Sequence, residues 1–505
     1  MGQTSSFFII PGKFDPAGLS DALRGLTPVF EAPTAARPFD LLDCHDQSLR
    51  AQGQLLIASG GTLRLLRGQG DVAVQRCKGK GTFVQDMPDG PVRSALVGFP
   101  KLRALMSIGS GKVETANFAV LDDLQKTQVR GSVLSLTAND GQVALVTVHP
   151  MRGYDRSYQS VCSTFESMAD GNGGIEAVFH SLFSDATPYN AKPEVKLGMQ
   201  EPSIEVAADI IRTFLVVARQ NEAGVIADID TEFLHDYRVS LRRVRSVLSL
   251  FKGVFSPEQT DVLKREFSDL MAPTGRVRDL DVYLLEKDIY FNLIPANLHQ
   301  GVEAMFAQFA KERTRALAGL SRRFRSAAYD QKMNDLFALF ADTKGLEPGP
   351  KADRGAYDYA CALIWKRYRK VCKLARGITP DTPDQVVHDL RIDCKKLRYL
   401  MEFFAPLFDK SDFKKLIKPL KKLQDNLGLF NDYSVQQEAL FEFVATQSNS
   451  QGQANAQLAM SVGGLIAVLD QRQKAERDRV IANFQHFDSP DIQHLFRTLF
   501  HHKED

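Results

Sequence analysis

The sequence predicts an α+β multidomain chain, with an antiparallel β-barrel-like N-terminal part followed by an all-α part. Three observations predict it. The hydrophobic period changes from short alternating or clustered runs before about residue 165 to a 3.6-residue period from about residue 203. Over the same interval Gly and Pro retreat to the joints between periodic stretches. Finally, HDYRVSLRRVR at 235–245 returns as HDLRIDCKKLR at 388–398, the mark of one helical unit used twice.

Composition bounds the function. The 505 residues are 44% hydrophobic and 25% charged, with a net charge of +2. Such a chain buries cores and is not disordered, and a polyanion must be held by a local patch rather than by overall charge. No uninterrupted apolar run reaches the roughly 18 residues of a spanning helix. The start, MGQTSSFFIIPGKFD, lacks the basic segment and long apolar stretch of a secretory signal. MGQTSS fits a myristoylation pattern with Gly2 and Ser6, but the FFII that follows reads as a strand, so the match is discounted. Six scattered cysteines with no CxxC pair argue for a reducing cytosol and against a zinc knuckle or disulfide scaffold.

The first region, 1–185, reads as β structure. SFFII, QLLIA, DVAVQRC, ANFAVL, VRGSVLSL and QVALVTVHP are separated by Gly, Asp, Asn and Pro. A Pro-bearing polar stretch, DATPYNAKPEVKLG, places a linker at 186–202. The helical part then divides into a first copy, 203–342, and a second, 356–500, split by TKGLEPGPKADRG. QSNSQGQANAQ at 447–457 marks a further break before the last long helix. Charge does not separate the regimes: Lys+Arg and Asp+Glu are 19 and 19 in residues 1–199 and 44 and 42 beyond. What matters in the helical part is therefore where its cations stand.

The repeat answers that. At an offset of 153 residues, Leu270 falls on Leu423, Gly275 on Gly428, Arg278 on Asn431 and Asp279 on Asp432. His235, Arg238, Arg242 and Arg245 are spaced i, i+3, i+7 and i+10, which puts them in a helical stripe roughly 80° wide. His388, Arg391, Lys395 and Arg398 repeat it, while Leu241, Val244 and Leu248 supply an opposite core face. Aligned cations repel by a few tenths of a kcal/mol per pair, and a bound anion would relieve that cost. A solvated face or internal salt bridges is the alternative for one copy; recurrence in both favours the anion.

The second copy adds cations. Lys366, Arg369, Lys373 and Arg376 repeat the same spacing ahead of the histidine helix, and Lys414, Lys415, Lys418, Lys421 and Lys422 follow it. The first copy has Asp261, Glu266 and Asp269 at the matching place, so more positive potential is expected from the second. Thr382-Pro383-Asp384-Gln385 reads as a capping box with Pro at N1. A histidine on a cationic stripe should hold its proton less tightly unless an anion is bound, although a core or supporting histidine is the plainer alternative. Asp279 and Asp432 are expected to pair with the stripe and orient it rather than bind metal.

These residues resemble the CHAD family, the conserved-histidine α-helical domain. The likeness runs through DIDTEFLHDYRVSLRRVRSVLS, GRVRDLDVYLL, VVHDLRIDCKKLRYLMEFF and KPLKKLQDNLGLFND and covers about residues 203–500. The resemblance implies two four-helix bundles related by a pseudo-twofold, whose basic surfaces bind inorganic polyphosphate. Carried over position by position, the binding residues would be His235, Arg238, Arg242, Arg243, Arg245, His388, Arg391, Lys395, Lys396 and Arg398. Arg369 and Lys373 join them from the neighbouring basic helix, with Lys414, Lys415, Lys418, Lys421 and Lys422 as further additions.

Residues 3–160 resemble a degenerate CYTH domain, the triphosphate-tunnel β-barrel, through LLDCHDQSLRAQG and HPMRGYDRSY. That family carries ExExK on its first strand. Here the carboxylate places fall near Gln3 and Ser5, the lysine near Phe7 and an arginine near Ile57. Hard oxygen ligands are needed to hold a divalent metal against a triphosphate, so hydrolysis is not expected. Arg64, Arg67, Arg76 and Lys78 read as surface residues rather than an anion site.

SIGSGKVET at 107–115 is rejected as a phosphate loop, because the first glycine is missing and Val113 stands where Ser or Thr should ligate magnesium. The sequence therefore predicts a non-catalytic polyphosphate-binding protein with no cofactor and no metal. Its expected place is the cytoplasm, on polyphosphate granules. An inorganic triphosphatase, or an adaptor binding a protein partner on another granule, are the alternatives. Nucleic acid is disfavoured because the cationic helices lack interleaved exposed aromatics for stacking.

Overall fold

The structure, a computed structural model, describes residues 5–23, 25–67, 72–77, 83–138, 141–169, 174–184, 188–447 and 452–501. Gly2, Gln3 and Lys78 lie outside them, as do 185–187 of the first linker and 448–451 of the break before the last long helix. The chain divides into two compact units, residues 1–190 and 191–505.

The first unit is one curled antiparallel sheet of β1 (Ser6–Pro11), β2 (Thr27–Phe30), β3 (Arg37–Asp43), β4 (Gln54–Ser59), β5 (Thr62–Arg67), β6 (Val72–Arg76), β7 (Met106–Leu121), β8 (Thr127–Ala138) and β9 (Gly141–Pro150). Its order is β1-β9-β8-β7-β3-β4-β5-β6. The long strand β7 carries β3 along its first half and β2 along its second, with Val113 opposite Arg37 and Phe118 opposite Phe30. Among the described residues β1 and β6 are unpaired edges, so the sheet is a half-barrel. SIGSGKVET lies within β7, an extended segment with no helix behind it to receive a phosphate.

Both faces of this sheet are buried, which explains the nearly continuous apolar runs. Phe8 and Ile10 of β1 and Val146 and Val148 of β9 share one core with α1 (Pro16–Ala22) and α4 (Asp155–Met168). The alternate residues Phe7, Ile9, Val143 and Leu145 share another with α5 (Gly174–Leu182). Phe7 and Ile57, the places for a lysine and an arginine in the resemblance, thus belong to an apolar core. Ser5 Oγ is hydrogen-bonded to His149 Nδ1 at 2.7 Å. The short helices α2 (Ser48–Ala51) and α3 (Pro91–Ala95) cover a third core at the β4–β5 end. The helices of this unit are absent from the sequence reading: α4 and α5 show helical spacing only over short stretches beside strong strand signals.

The second unit is helical. Its first copy comprises α6 (Ser203–Ile226), α7 (Thr231–Leu250), α8 (Pro257–Met271), α9 (Gly275–Leu285), α10 (Lys287–Asn292), α11 (His299–Phe324) and α12 (Ala327–Leu339). The second comprises α13 (Ala356–Arg376), α14 (Asp384–Phe404), α15 (Lys410–Gln447), α16 (Gly452–Phe487) and α17 (Pro490–Phe500). Asp230 caps α7 by accepting from the Glu232 and Phe233 amides. The approach of α6 to α7 needs Gly224, where a Cβ would stand 2.1 Å from the Phe233 ring.

The copies differ where their sequences do. In the first, Pro273 ends the run of α8, a 3-10 turn follows over Ala272–Thr274, and α9 starts anew. The second has Asn426 at that place, and α15 continues unbroken for 38 residues. Its far half and α16 reach back onto the first copy, where Leu440, Leu458 and Val462 share a core with Tyr290, Met305 and Phe306. The copies are therefore interlocked, and a second contact stacks Phe251 on Phe404 with ring centroids 4.9 Å apart. The capping box at Thr382 is not formed. Pro383 occupies the N-cap of α14 without a side-chain cap bond, and Thr382 Oγ1 accepts instead from the Thr379 amide. All six cysteines are buried thiols. Among the described residues no helix is long and apolar enough to cross a membrane.

Candidate anion-binding site

The histidine helices of the two copies, α7 and α14, pack against each other, and their cationic stripes meet at the seam. There they enclose a groove of about 420 Å³ lined by Arg242, Arg245, Lys264, Lys395 and Lys396 among its charged residues, with no carboxylate. Ser246, Ser249, Ser268 and Tyr399 add hydroxyls. Cations from both copies thus share one concavity, rather than forming two separate faces.

Crowding perturbs their proton affinities. Burial, and then Arg391 and Arg242, push the Lys395 ammonium down to about 8. Lys395 is solvent-exposed as a residue, so the neighbouring charges are part of any account of that shift. Burial and the charges of α13 lower Lys396, and burial lowers Arg242. A cationic cluster that disfavours its own charge is arranged to receive an anion.

The other expected site residues fall into distinct places. Arg243 Nη2 donates to Glu402 Oε2 at 2.9 Å and Arg398 Nε donates to Glu402 Oε1 at 2.6 Å, so one carboxylate ties both cations across the seam. Glu402 stands where the first copy has Ser249, which leaves one half of the seam neutralised and the other open. Arg238 donates to Thr274 Oγ1, and Arg391 lies 3.7 Å from Asp432, as expected for an orienting acid. Asp279 acts on Arg238 through space only. His235 and His388 precede the groove by seven residues, roughly 10 Å along their helices, and do not line it. Lys414, Lys415, Lys418, Lys421 and Lys422 are exposed on α15 and also lie outside it, with Lys415 paired to Asp412 at 2.8 Å. Arg369 and Lys373 line a larger cavity beside α13.

Sequence reasoning passed over Lys264. Its counterpart at the 153-residue offset is Ile417, so no repeat marked it. It lies on α8, in the copy whose second helix reads as acidic. Of those acids, Glu266 is engaged by Lys332, while Asp261 lies 3.6 Å from Lys264 itself. None of the three acids lines the groove, and Asp261 offsets part of the Lys264 charge from outside it.

A helical unit built on a repeated motif, with cations gathered at the seam of its copies, is the class defined by this geometry. Residues 209–440 match the family model of the CHAD domain, so this unit carries a CHAD domain. The curled sheet ahead of it is consistent with a CYTH-like fold. Among solved structures, the CHAD domain from the plant Ricinus communis is similar at 27% identity and a TM-score of 0.50, over 59% of this chain and 96% of that one. PptA from Streptomyces chartreusis shows 16% identity and a TM-score of 0.45 over 56% of this chain and 100% of that one. No curated protein matches the chain. CHAD domains are in general non-catalytic binding domains, and the family is linked in general to inorganic polyphosphate.

Proposed function

We propose that this protein binds inorganic polyphosphate without hydrolysing it, in the groove between α7 and α14, and that it does so on polyphosphate granules. The observation that carries the reading is the convergence of Arg242, Arg245, Lys264, Lys395 and Lys396 on a concavity that no carboxylate lines. Arginine supplies forked hydrogen bonds to phosphate oxygens and lysine supplies point charges. Both faces of the β unit are filled by apolar cores, which favours a scaffold or docking role for it.

Titration of the whole protein with polyphosphate, tripolyphosphate and DNA side by side tests this. Polyphosphate is expected to bind tightest. Its log affinity should fall with log salt by roughly 0.7 to 0.9 per phosphate contact, a total slope of about −3 to −5 if the groove cations all engage. A slope near zero would sink the electrostatic reading.

A second expectation concerns protons. A bound polyanion stabilises the Lys395 ammonium and raises its depressed proton affinity. Binding should therefore take up protons near pH 8, with affinity level below that pH and falling as the pH rises through it. Calorimetry in two buffers of different ionisation enthalpy counts the protons. Lys395→Arg should abolish the uptake, and uptake unchanged in that variant would assign it to other groups.

A further inference from the structure

We infer that the cavity beside α13 is a second ligand site that takes a nucleoside polyphosphate, with the base against Trp365 and the phosphates on Arg369 and Lys373. This goes beyond polyphosphate binding in the α7–α14 groove and does not depend on it. The cavity measures about 1290 Å³ and is formed by α13, the end of α7, the segment before α13, and α17. Ten lysines and arginines line it, with no carboxylate. Some are held in place by acids behind them: Arg367 and Lys370 by Asp393, and Arg376 by Asp488. Among the described residues Lys252, Lys366, Arg369 and Lys373 have no ion pair and remain available to an anion.

Charge alone would suit any polyanion. The rest of the lining is selective. Behind the cations Leu250, Leu400, Tyr359 and Tyr368 are buried, while Leu363 and the Trp365 indole are half-buried and face the cavity. An inorganic phosphate chain has nothing to cover that indole, whereas a nucleotide brings a planar base as well as its charge. Trp365 is the only tryptophan of the chain. Its ring is fixed by Tyr368, at 5.7 Å between centroids, and by the edge of His501, at 4.9 Å. A held aromatic ring stacks a base at little ordering cost.

The order of groups along α13 matches the order of groups in the ligand. Trp365, Arg369 and Lys373 are spaced i, i+4 and i+8, so they lie in one stripe over roughly 12 Å of helix. Read along that line, they offer a stacking ring, a forked donor and an ammonium, with Lys366 beside the first turn. A base followed by its polyphosphate tail spans a comparable length in the same sequence.

The test uses the full chain with ATP and tripolyphosphate as probes. ATP should quench Trp365 fluorescence and bind roughly tenfold to hundredfold tighter than tripolyphosphate, the range that one base stack provides. By calorimetry, Trp365→Leu should remove that preference while leaving tripolyphosphate affinity within about twofold. The exposed pair Arg369→Ala, Lys373→Ala should weaken both ligands by at least about tenfold without risk to folding. Arg242→Ala with Lys395→Ala should leave ATP binding unchanged, so loss of polyphosphate binding and loss of this site are separable. Equal affinity for ATP and tripolyphosphate, a preference that survives Trp365→Leu, or ATP binding indifferent to Arg369→Ala, Lys373→Ala would each overturn the inference.

Discussion

Replacing Arg242 and Lys395 together by alanine is expected to lower polyphosphate affinity by about a hundredfold or more, the largest loss of any pair of substitutions in the helical unit. Each side chain makes a charge-assisted contact worth roughly 1.5–3 kcal/mol, and about 1.4 kcal/mol is a factor of ten. The two residues are repeat counterparts that line one groove from opposite helices, so their removal takes one cation from each copy's side of the site. The control is Lys418→Ala with Lys422→Ala. Those lysines are exposed on α15 and outside the groove, and their loss should cost less than about threefold, the range of a screened surface charge. Measured by calorimetry at a fixed salt concentration, equal losses for the two pairs would show that net basic charge, not the groove, holds the polymer. Neither pair should alter the fold, because Arg242 and Lys395 make no ion pair among the described residues and both lysines of the control are exposed.

Glu402→Gln is expected to do the reverse and raise polyphosphate affinity, by roughly tenfold. The carboxylate holds Arg243 and Arg398 by hydrogen bonds of 2.9 and 2.6 Å. Glutamine keeps a carbonyl for one of them and removes the charge that neutralises both, so one charge-assisted contact becomes available to phosphate. The salt slope should steepen by about one contact, roughly 0.7 to 0.9. Stability should fall at the same time, by about 1 kcal/mol, because a bridged carboxylate between two partly buried arginines is lost. Thermal denaturation and binding measured on the same preparation read both effects. Affinity that stays level while stability falls would show that Arg243 and Arg398 serve only to join the copies.

The asymmetry behind these two expectations comes from single residues. Ser249 and Glu402 occupy the same place in the repeat, as do Lys264 and Ile417, yet one exchange closes half the seam and the other arms the open half. Likewise Pro273 against Asn426 decides whether a helix breaks or runs on, and with it whether the second copy reaches the first. A repeat read as two equal halves conceals such differences, because the strongest part of its signal is what the halves share.

Much of the molecule is nevertheless written in local patterns. The change of hydrophobic period separates the sheet from the helices, since strand and helix expose residues at repeats of 2 and 3.6 whatever surrounds them. The spacing of His235, Arg238, Arg242 and Arg245, and its return at 388–398, determines that the cations share a helix face in each copy, because helix geometry alone fixes that angle. The apolar runs of the first unit likewise declare strands. They do not declare that both faces are buried by α4 and α5, whose short helical stretches carry weaker periodicity. Which cations meet is decided only in three dimensions. Packing of α7 on α14 brings Arg242 to Lys395 across 153 residues of chain, adds Lys264 from a helix that reads as acidic, and leaves the α15 lysines outside. The cavity beside α13 likewise adds Lys252, Lys351 and Arg497 from elsewhere in the chain to the cations that α13 itself carries. The physical reason is range: a helix stripe is set by contacts within a few residues, whereas a groove depends on which stripes the buried cores force together.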